Sequence, residues 1–391
     1  MKTAVIISEY NPFHRGHQWQ IDQLRQMGYS HIVAVMSGCF VQRGAPAIFH
    51  KKDRARMALQ GGADLVIELP LPYACATAQR FAFGGVALAD ALGCADALCF
   101  GSECGDISLL NAAVDALESP SLKPLLDKYL VQGMTFAKAR TLAVAELASP
   151  DIAALLEEPN NTLGIEYMLQ LRQLNSPLEP VTIPRKSVSH HACDAQDGFA
   201  SASHIRQLLF DGQLSEASAL IPDECAEILH SLSPVKANDR IILSRLRTLS
   251  KEELSHLPDC SEGIENRLYQ AIRDSLSLEE IWEKTKSKRY SHARIRRLCM
   301  NAFLAVNDGL HQQLPPYLRV LGFNERGREL LALARKQAKL PISGSLADLA
   351  RTSNCANSYA QLEARSVDLY NLFEADLHPC GEDFRFSPHR L

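Results

Sequence analysis

Short buried-looking apolar runs and longer amphipathic ones alternate along the first half of the chain. Thr3-Ala4-Val5-Ile6-Ile7-Ser8, His31-Ile32-Val33-Ala34-Val35-Met36, Asp64-Leu65-Val66-Ile67-Glu68-Leu69 and Ala97-Leu98-Cys99-Phe100 have the length and β-branching of strands buried on both faces. Ile21–Met27, Lys51–Gln60 and the alanine-rich Tyr73–Leu92 between them read as helices, with Pro70 and Pro72 ending the third strand. Leu109–Leu117, Pro120–Tyr129, Phe136–Leu147 and Asn161–Leu174 follow as helices. Glu179–Ile183 then reads as a last strand, entering Pro184-Arg185-Lys186. Such alternation predicts an α/β fold: a Rossmann-like, doubly wound parallel sheet whose ligands sit beyond the carboxyl ends of its strands. Ser203–Leu209 begins another helix, with Ser201 or Ser203 as its cap. Beyond about Pro222 strand signals vanish and Leu- and Arg-bearing helical patterns take over. We therefore expect a catalytic domain over 1–221 and a C-terminal α-helical domain over 222–391.

Composition narrows the classes without choosing among them. The chain has 391 residues, 46% hydrophobic and 22% charged, ordinary for a globular protein of two or three domains. A net charge of −4 means that any nucleic-acid surface must be local. Eleven cysteines contain no CxxC pair, which points to reduced, buried thiols rather than zinc or disulfides. The N-terminus lacks a basic-then-apolar signal and no run is long enough to span a bilayer, so a cytoplasmic location and no membrane partner are expected.

Candidate chemistry lies in the loops that follow the strands. After the first strand come Glu9-Tyr10-Asn11-Pro12-Phe13-His14-Arg15-Gly16-His17 and then a helix. Strand, turn and helix start in that order offer backbone N–H groups and a positive dipole end to an anion. His14 and His17 are the candidate catalytic residues, as donors to a reacting phosphate. A second loop, Ser37–Gly44, carries glycines and Arg43. A third, Gly101-Ser102-Glu103, leaves room for an adenine or ribose. In the fourth, Ser203 and Arg206 at a helix start are placed to grip a polyphosphate.

Read together, these blocks resemble one family. EYNPFHxGH, MSGCFVQRGAPA, DLVIELPLPYA and the strand ending CFGSE are similar to the bacterial tRNA(Met) cytidine acetate ligases, of the HxGH nucleotidyltransferase superfamily. The likeness continues through Pro159–Tyr167, Ser201–Arg206, Lys288-Arg289-Tyr290, Arg294–Arg297 and Tyr317–Gly322. The resemblance implies an ATP-dependent ligase that makes acetyl-adenylate from acetate. It then acetylates N4 of the wobble cytidine of elongator tRNA(Met). It implies that ATP is bound by Ile7, Ser8, Glu9, Tyr10, Asn11, Pro12, Phe13, His14, Arg15, Gly16, His17, Gln18, Trp19 and Gln20, with Gly101, Asn161 and Arg185; Lys186 beside Arg185 is expected there too. Mg2+ would accompany ATP, held through phosphates and water rather than by a protein ligand set. Four departures stand out: Cys39 where asparagine is expected, Arg15 where asparagine is common, Ala202 within a serine pair, and Arg185-Lys186-Ser187-Val188-Ser189 in place of a glycine-richer loop.

RNA would need a local basic surface. Lys284, Lys286, Lys288, Arg289, Arg294, Arg296 and Arg297 fall in one short stretch. Of these Lys288, Arg289, Arg294 and Arg297 are expected at tRNA phosphates, with Tyr290 stacking a base. Arg319, Arg326 and Arg328 would extend that surface. Two other readings stay open: a small-molecule adenylyltransferase, which needs no such surface, and a non-catalytic RNA- or nucleotide-binding protein.

Overall fold

The structure, a computed structural model, describes residues 1–185, 198–307 and 309–391. Its strands are β1 (Thr3–Ser8), β2 (His31–Ser37), β3 (Phe40–Val41), β4 (Ala45–Pro46), β5 (Leu65–Leu69), β6 (Ala97–Ser102), β7 (Glu179–Pro184), β8 (Leu318–Phe323), β9 (Ile342–Ser343) and β10 (His389–Arg390). One eight-stranded sheet runs β10-β8-β5-β2-β1-β6-β7, with β9 also on β8. From β5 to β7 all pairings are parallel, with β1 central and Val5 opposite Val33 and Leu98. The continuous apolar runs have the reason expected. Val5, Val33 and Leu65 enter the core on one face, while Ala4, Ile32 and Val66 enter that on the other. The site loops therefore emerge together at one end.

Two expectations are corrected. Tyr73–Leu92 is not one helix: Leu71–Ala74 stops, and Ala78–Ala91 restarts with Thr77 as cap. Nor are strands finished at β7. β8 lies antiparallel beside β5, so the chain returns to the sheet after its helical stretch. The run was not readable as a strand because Arg319 interrupts it, and burial of that charge depends on distant partners. Arg319 is fully buried, 2.8 Å from Glu68 and 2.6 Å from Asp383. It extends no RNA surface.

The helices between Asp239 and Leu304 pack around a third core containing Ile242, Leu268, Ile281, Ile295 and Leu298, whereas Cys225, Ile228 and Leu229 of the preceding helix pack against the sheet. That core also takes in Cys39, Phe40, Leu71 and Cys75 from the first half of the chain. The second loop is thus a seam between the sheet and the helices.

Candidate active site at the strand ends

The chain crosses the carboxyl end of β1 as a tightly held turn. Ser8 Oγ accepts from Tyr10 N at 3.2 Å, and Asn11 Oδ1 accepts from Ile48 N at 2.7 Å. Tyr10 adopts a left-handed φ of 45°, a strain of order 1 kcal/mol or more for a residue with a Cβ. Its ring offsets that by packing edge-on to Phe13 at 4.9 Å and to His17 at 4.8 Å. The helix Arg15–Gln26 starts directly after, earlier than its hydrophobic pattern suggests, because histidines cap it.

His14 Nδ1 accepts from Gly16 N at 3.1 Å, and His17 Nδ1 accepts from His14 N at 3.2 Å. The two side chains thus form a reciprocal capping box. Their rings stack with centroids 3.7 Å apart. Because each Nδ1 is an acceptor, each neutral ring carries its proton on Nε2. Burial, with Arg185 and Arg206 nearby, lowers His14 to about 3. Burial, His14 and Arg185 hold His17 well below the ordinary histidine value. At neutral pH the site therefore presents two uncharged Nε2–H donors of fixed orientation. A Cβ on Gly16 would stand 2.9 Å from His14 Cε1, so the glycine is required by the ring itself.

Three guanidiniums converge on this turn, each bonded to neutral acceptors. Arg206 donates to Asn11 O at 2.7 Å and Ser203 Oγ at 3.0 Å. Ser201, not Ser203, caps that helix, accepting from His204 N at 3.2 Å. Arg185 donates its backbone N–H to Ser102 O and its guanidinium to Asn160 Oδ1 at 3.2 Å. Its Cγ lies 3.2 Å from where a Cβ on Gly101 would be. Arg54 was missed by the sequence reading. Fully buried, it donates to Phe49 O at 3.0 Å, Glu9 O at 2.5 Å, Ser37 O at 3.1 Å and also Gly38 O. It ties the ends of β1 and β2 together. No local signal marks it, since an arginine within a helix is ordinarily solvated.

Other expected residues have local employments. Glu103 accepts from Asn160 N, Asn160 Nδ2 and Asn161 N at 3.2, 2.6 and 2.7 Å, so it is the built-in anion of the helix Pro159–Gln173. Asn161 Oδ1 accepts from Cys104 N at 3.1 Å, leaving its amide N–H groups as donors. Arg15 turns to Ala219 O and to Asp223 at 2.8 Å, and Gln18 to Glu224 at 3.4 Å, away from the histidines. Gln20 reaches Cys99 Sγ at 3.6 Å and Ile7 lies in the sheet core. Trp19 is half-buried. Lys186 falls outside the described residues. Burial pushes the Cys39 thiol up to about 12, which removes it as a nucleophile. Among the described residues no three His, Cys, Asp or Glu side chains gather as a metal-ligand set.

The basic stretch divides in two. Arg294 donates to Asp259 O at 3.0 Å and Ser261 Oγ at 2.6 Å and pairs with Glu262 at 2.9 Å. Arg297 lies 3.4 Å from Asp259. Tyr290 is buried and donates its hydroxyl to Glu262 O at 2.5 Å, so its ring is not presented for stacking. Lys288, Arg289 and Arg296 are exposed, Arg296 lying 4.4 Å over Trp282. The second loop reaches this helix. Gly44, at φ 71°, sits where a Cβ would be 2.6 Å from Arg296 C, and the adjacent Arg43 is exposed. Arg43 acts electrostatically on Arg206. A line of positive charge thus joins the histidine turn to the exposed arginines.

A family model described as HIGH nucleotidyl transferase matches residues 1–382. A protein of Alkaliphilus metalliredigens called tRNA(Met) cytidine acetate ligase is 39% identical, the match covering 95% of this chain and 94% of that one. A protein of the same name from Clostridium kluyveri is 37% identical, over 99% and 98%. The crystal structure of Thermotoga maritima TmcAL bound with alpha-thio ATP superposes with a TM-score of 0.92 at 31% identity, covering 100% of both chains. An apo form of that protein gives 0.94 at 32%, again over 100% of both.

Proposed function

The chain belongs to the HIGH nucleotidyl transferase family, among the tRNA(Met) cytidine acetate ligases, and from there we propose that it activates acetate with ATP and acetylates N4 of the wobble cytidine of elongator tRNA(Met). The observation that carries the chemistry is the stacked pair His14–His17, each Nδ1 engaged by a backbone N–H. When an acetate oxygen attacks the α-phosphorus, charge grows on phosphoryl oxygens and on departing pyrophosphate. Fixed Nε2–H donors answer that charge without reorganisation, which is where such catalysis originates. Arg206 and Arg185 hold phosphates, while Gly101 and the Asn161 amide border the nucleoside. A magnesium ion, if it accompanies ATP, would be held through phosphates and water and would add to the charge neutralisation that Arg206 and Arg185 supply.

The second half-reaction passes the acetyl group to an exocyclic amine. A base unstacked from an anticodon loop can reach the strand ends, whereas a paired cytidine cannot. Arg43 and Arg296, brought together where the second loop meets the helix, and the exposed Lys288 and Arg289 offer the phosphate contacts, which supports a tRNA-modifying role over a small-molecule adenylyltransferase. No helix among the described residues is long and apolar enough to cross a membrane. The cytoplasm is the compartment the activity requires.

Labelled acetate, ATP and elongator tRNA(Met) transcript test this reading. Label is expected in N4-acetylcytidine at the wobble position alone. A transcript with uridine there, which has no exocyclic amine, accepts nothing. Equal labelling of the two transcripts overturns the acceptor.

A further inference from the structure

The site is rich in donors, yet its second half-reaction needs an acceptor. As the cytidine N4 attacks the acetyl carbon, a C–N bond forms and the C–O bond to the adenylate phosphate breaks. AMP leaves with that electron pair, and the amine must give up a proton. Its N–H also has to be aimed, and a carboxylate is the side chain that accepts from a cytosine amine.

Among the described residues three carboxylates stand within one residue of the carboxyl end of a parallel strand: Glu9 after β1, Glu68 in β5 and Glu103 after β6. Glu68 is sealed in the core between Lys51 at 2.6 Å and Arg319 at 2.8 Å. Glu103 has both oxygens occupied by Asn160 and Asn161. Glu9 differs. Its Oε1 accepts from Gln42 N at 2.8 Å, while Oε2 takes no hydrogen bond from the described residues. The side chain is half-buried, and Arg54 clamps its backbone oxygen at 2.5 Å. Its charge is felt at Arg206 and Arg54. It stands between the histidine turn and the second loop, which leads to the exposed basic residues.

Resting on the ligase reading above, we infer that Glu9 is the residue that accepts the N4–H of the acceptor cytidine, orienting the amine and taking its proton during acetyl transfer. The test is Glu9→Gln, whose amide oxygen keeps the acceptor for Gln42 N but is no base. Three rates are compared with wild type: acetate-dependent ATP–pyrophosphate exchange, single-turnover acetylation of elongator tRNA(Met), and acetyl-hydroxamate formation with hydroxylamine, a nucleophile that needs no protein base. The ratio of tRNA acetylation to exchange is expected to fall on the order of a hundredfold, with hydroxamate formation following exchange. A wild-type ratio, or a loss of all three rates together, overturns the assignment. Failure of the wild-type protein to acetylate tRNA would instead overturn the underlying reading.

Discussion

Two groups of arginines, equally conspicuous as charges, differ in what they are bonded to. At the strand ends Arg54, Arg185 and Arg206 donate to carbonyl, amide and hydroxyl oxygens. Their positive charge is oriented and forms no ion pair among the described residues, though Glu9 is felt at Arg206 and Arg54 and Glu103 at Arg185. In the helix His292–Leu304, Arg294 and Arg297 pair with Glu262 and Asp259. Those charges are neutralised within the chain, and their role is to hold the loop around residues 259–262 against the helix. Capacity to bind an anion depends on uncompensated charge, so density of lysine and arginine along a sequence overstates the second group and conceals the first.

The sharpest challenge to the first group is removal of a donor from the turn it surrounds. His17→Ala is expected to slow acetate-dependent ATP–pyrophosphate exchange about a hundredfold or more, the scale of one lost transition-state donor at ~2.7–4 kcal/mol. Near wild-type exchange would remove the histidine pair from the chemistry. Gly16→Ala tests whether the donor must be held in place. Its Cβ would meet His14 Cε1 at 2.9 Å, and the displaced ring is expected to lower exchange by roughly ten- to a hundredfold. A crystal structure of the variant with an unmoved His14 ring and full activity would contradict the steric argument.

Smaller effects separate oriented from cancelled charge. Arg206→Ala is expected to raise KM for ATP by about tenfold, the value of a charge-assisted hydrogen bond at roughly 1.5 kcal/mol. An unchanged KM would return Arg206 to a purely structural tie on Asn11. The smallest effects sharpen the comparison itself. Arg294→Ala with Arg297→Ala should lower Tm by about one degree, as expected for about 1 kcal/mol in a chain of this length, and leave the salt dependence of tRNA binding as it was. Replacing Lys288, Arg289 and Arg296 together should do the reverse, reducing the slope of log K against log salt by roughly two to three. A slope change confined to the Arg294/Arg297 pair would invert the assignment.

Much of the architecture was legible. The strands Thr3–Ser8 and His31–Ser37 and the helices Lys51–Gln60 and Phe136–Leu147 follow from local hydrophobic runs and periodicity. β8 was not, because Arg319 near its start is buried only when Glu68 and Asp383 arrive from elsewhere. The site divides in the same way. The HxGH turn announced itself, since a strand, a turn and a helix start are neighbours in the chain. Arg54 did not, and neither did the distinction among Glu9, Glu68 and Glu103, three carboxylates that read alike as letters.

The sequence by itself determined the parallel sheet, the position of the histidine turn at its carboxyl edge and the family to which the motifs point. Burial of β-branched runs and capping of the first helix depend on residues close together in the chain, so pattern suffices for them. Only the tertiary structure decided which charges are paired: Arg294 and Arg297 at the helix meet carboxylates, whereas Arg206 at the site donates to Asn11 O and Ser203 Oγ, and Glu9 Oε2 takes no hydrogen bond from the described residues. Electrostatic compensation is set by partners within a few ångströms, and those partners, Asn11 for Arg206 and Asp259 for Arg297, lie far along the chain from the residues they meet.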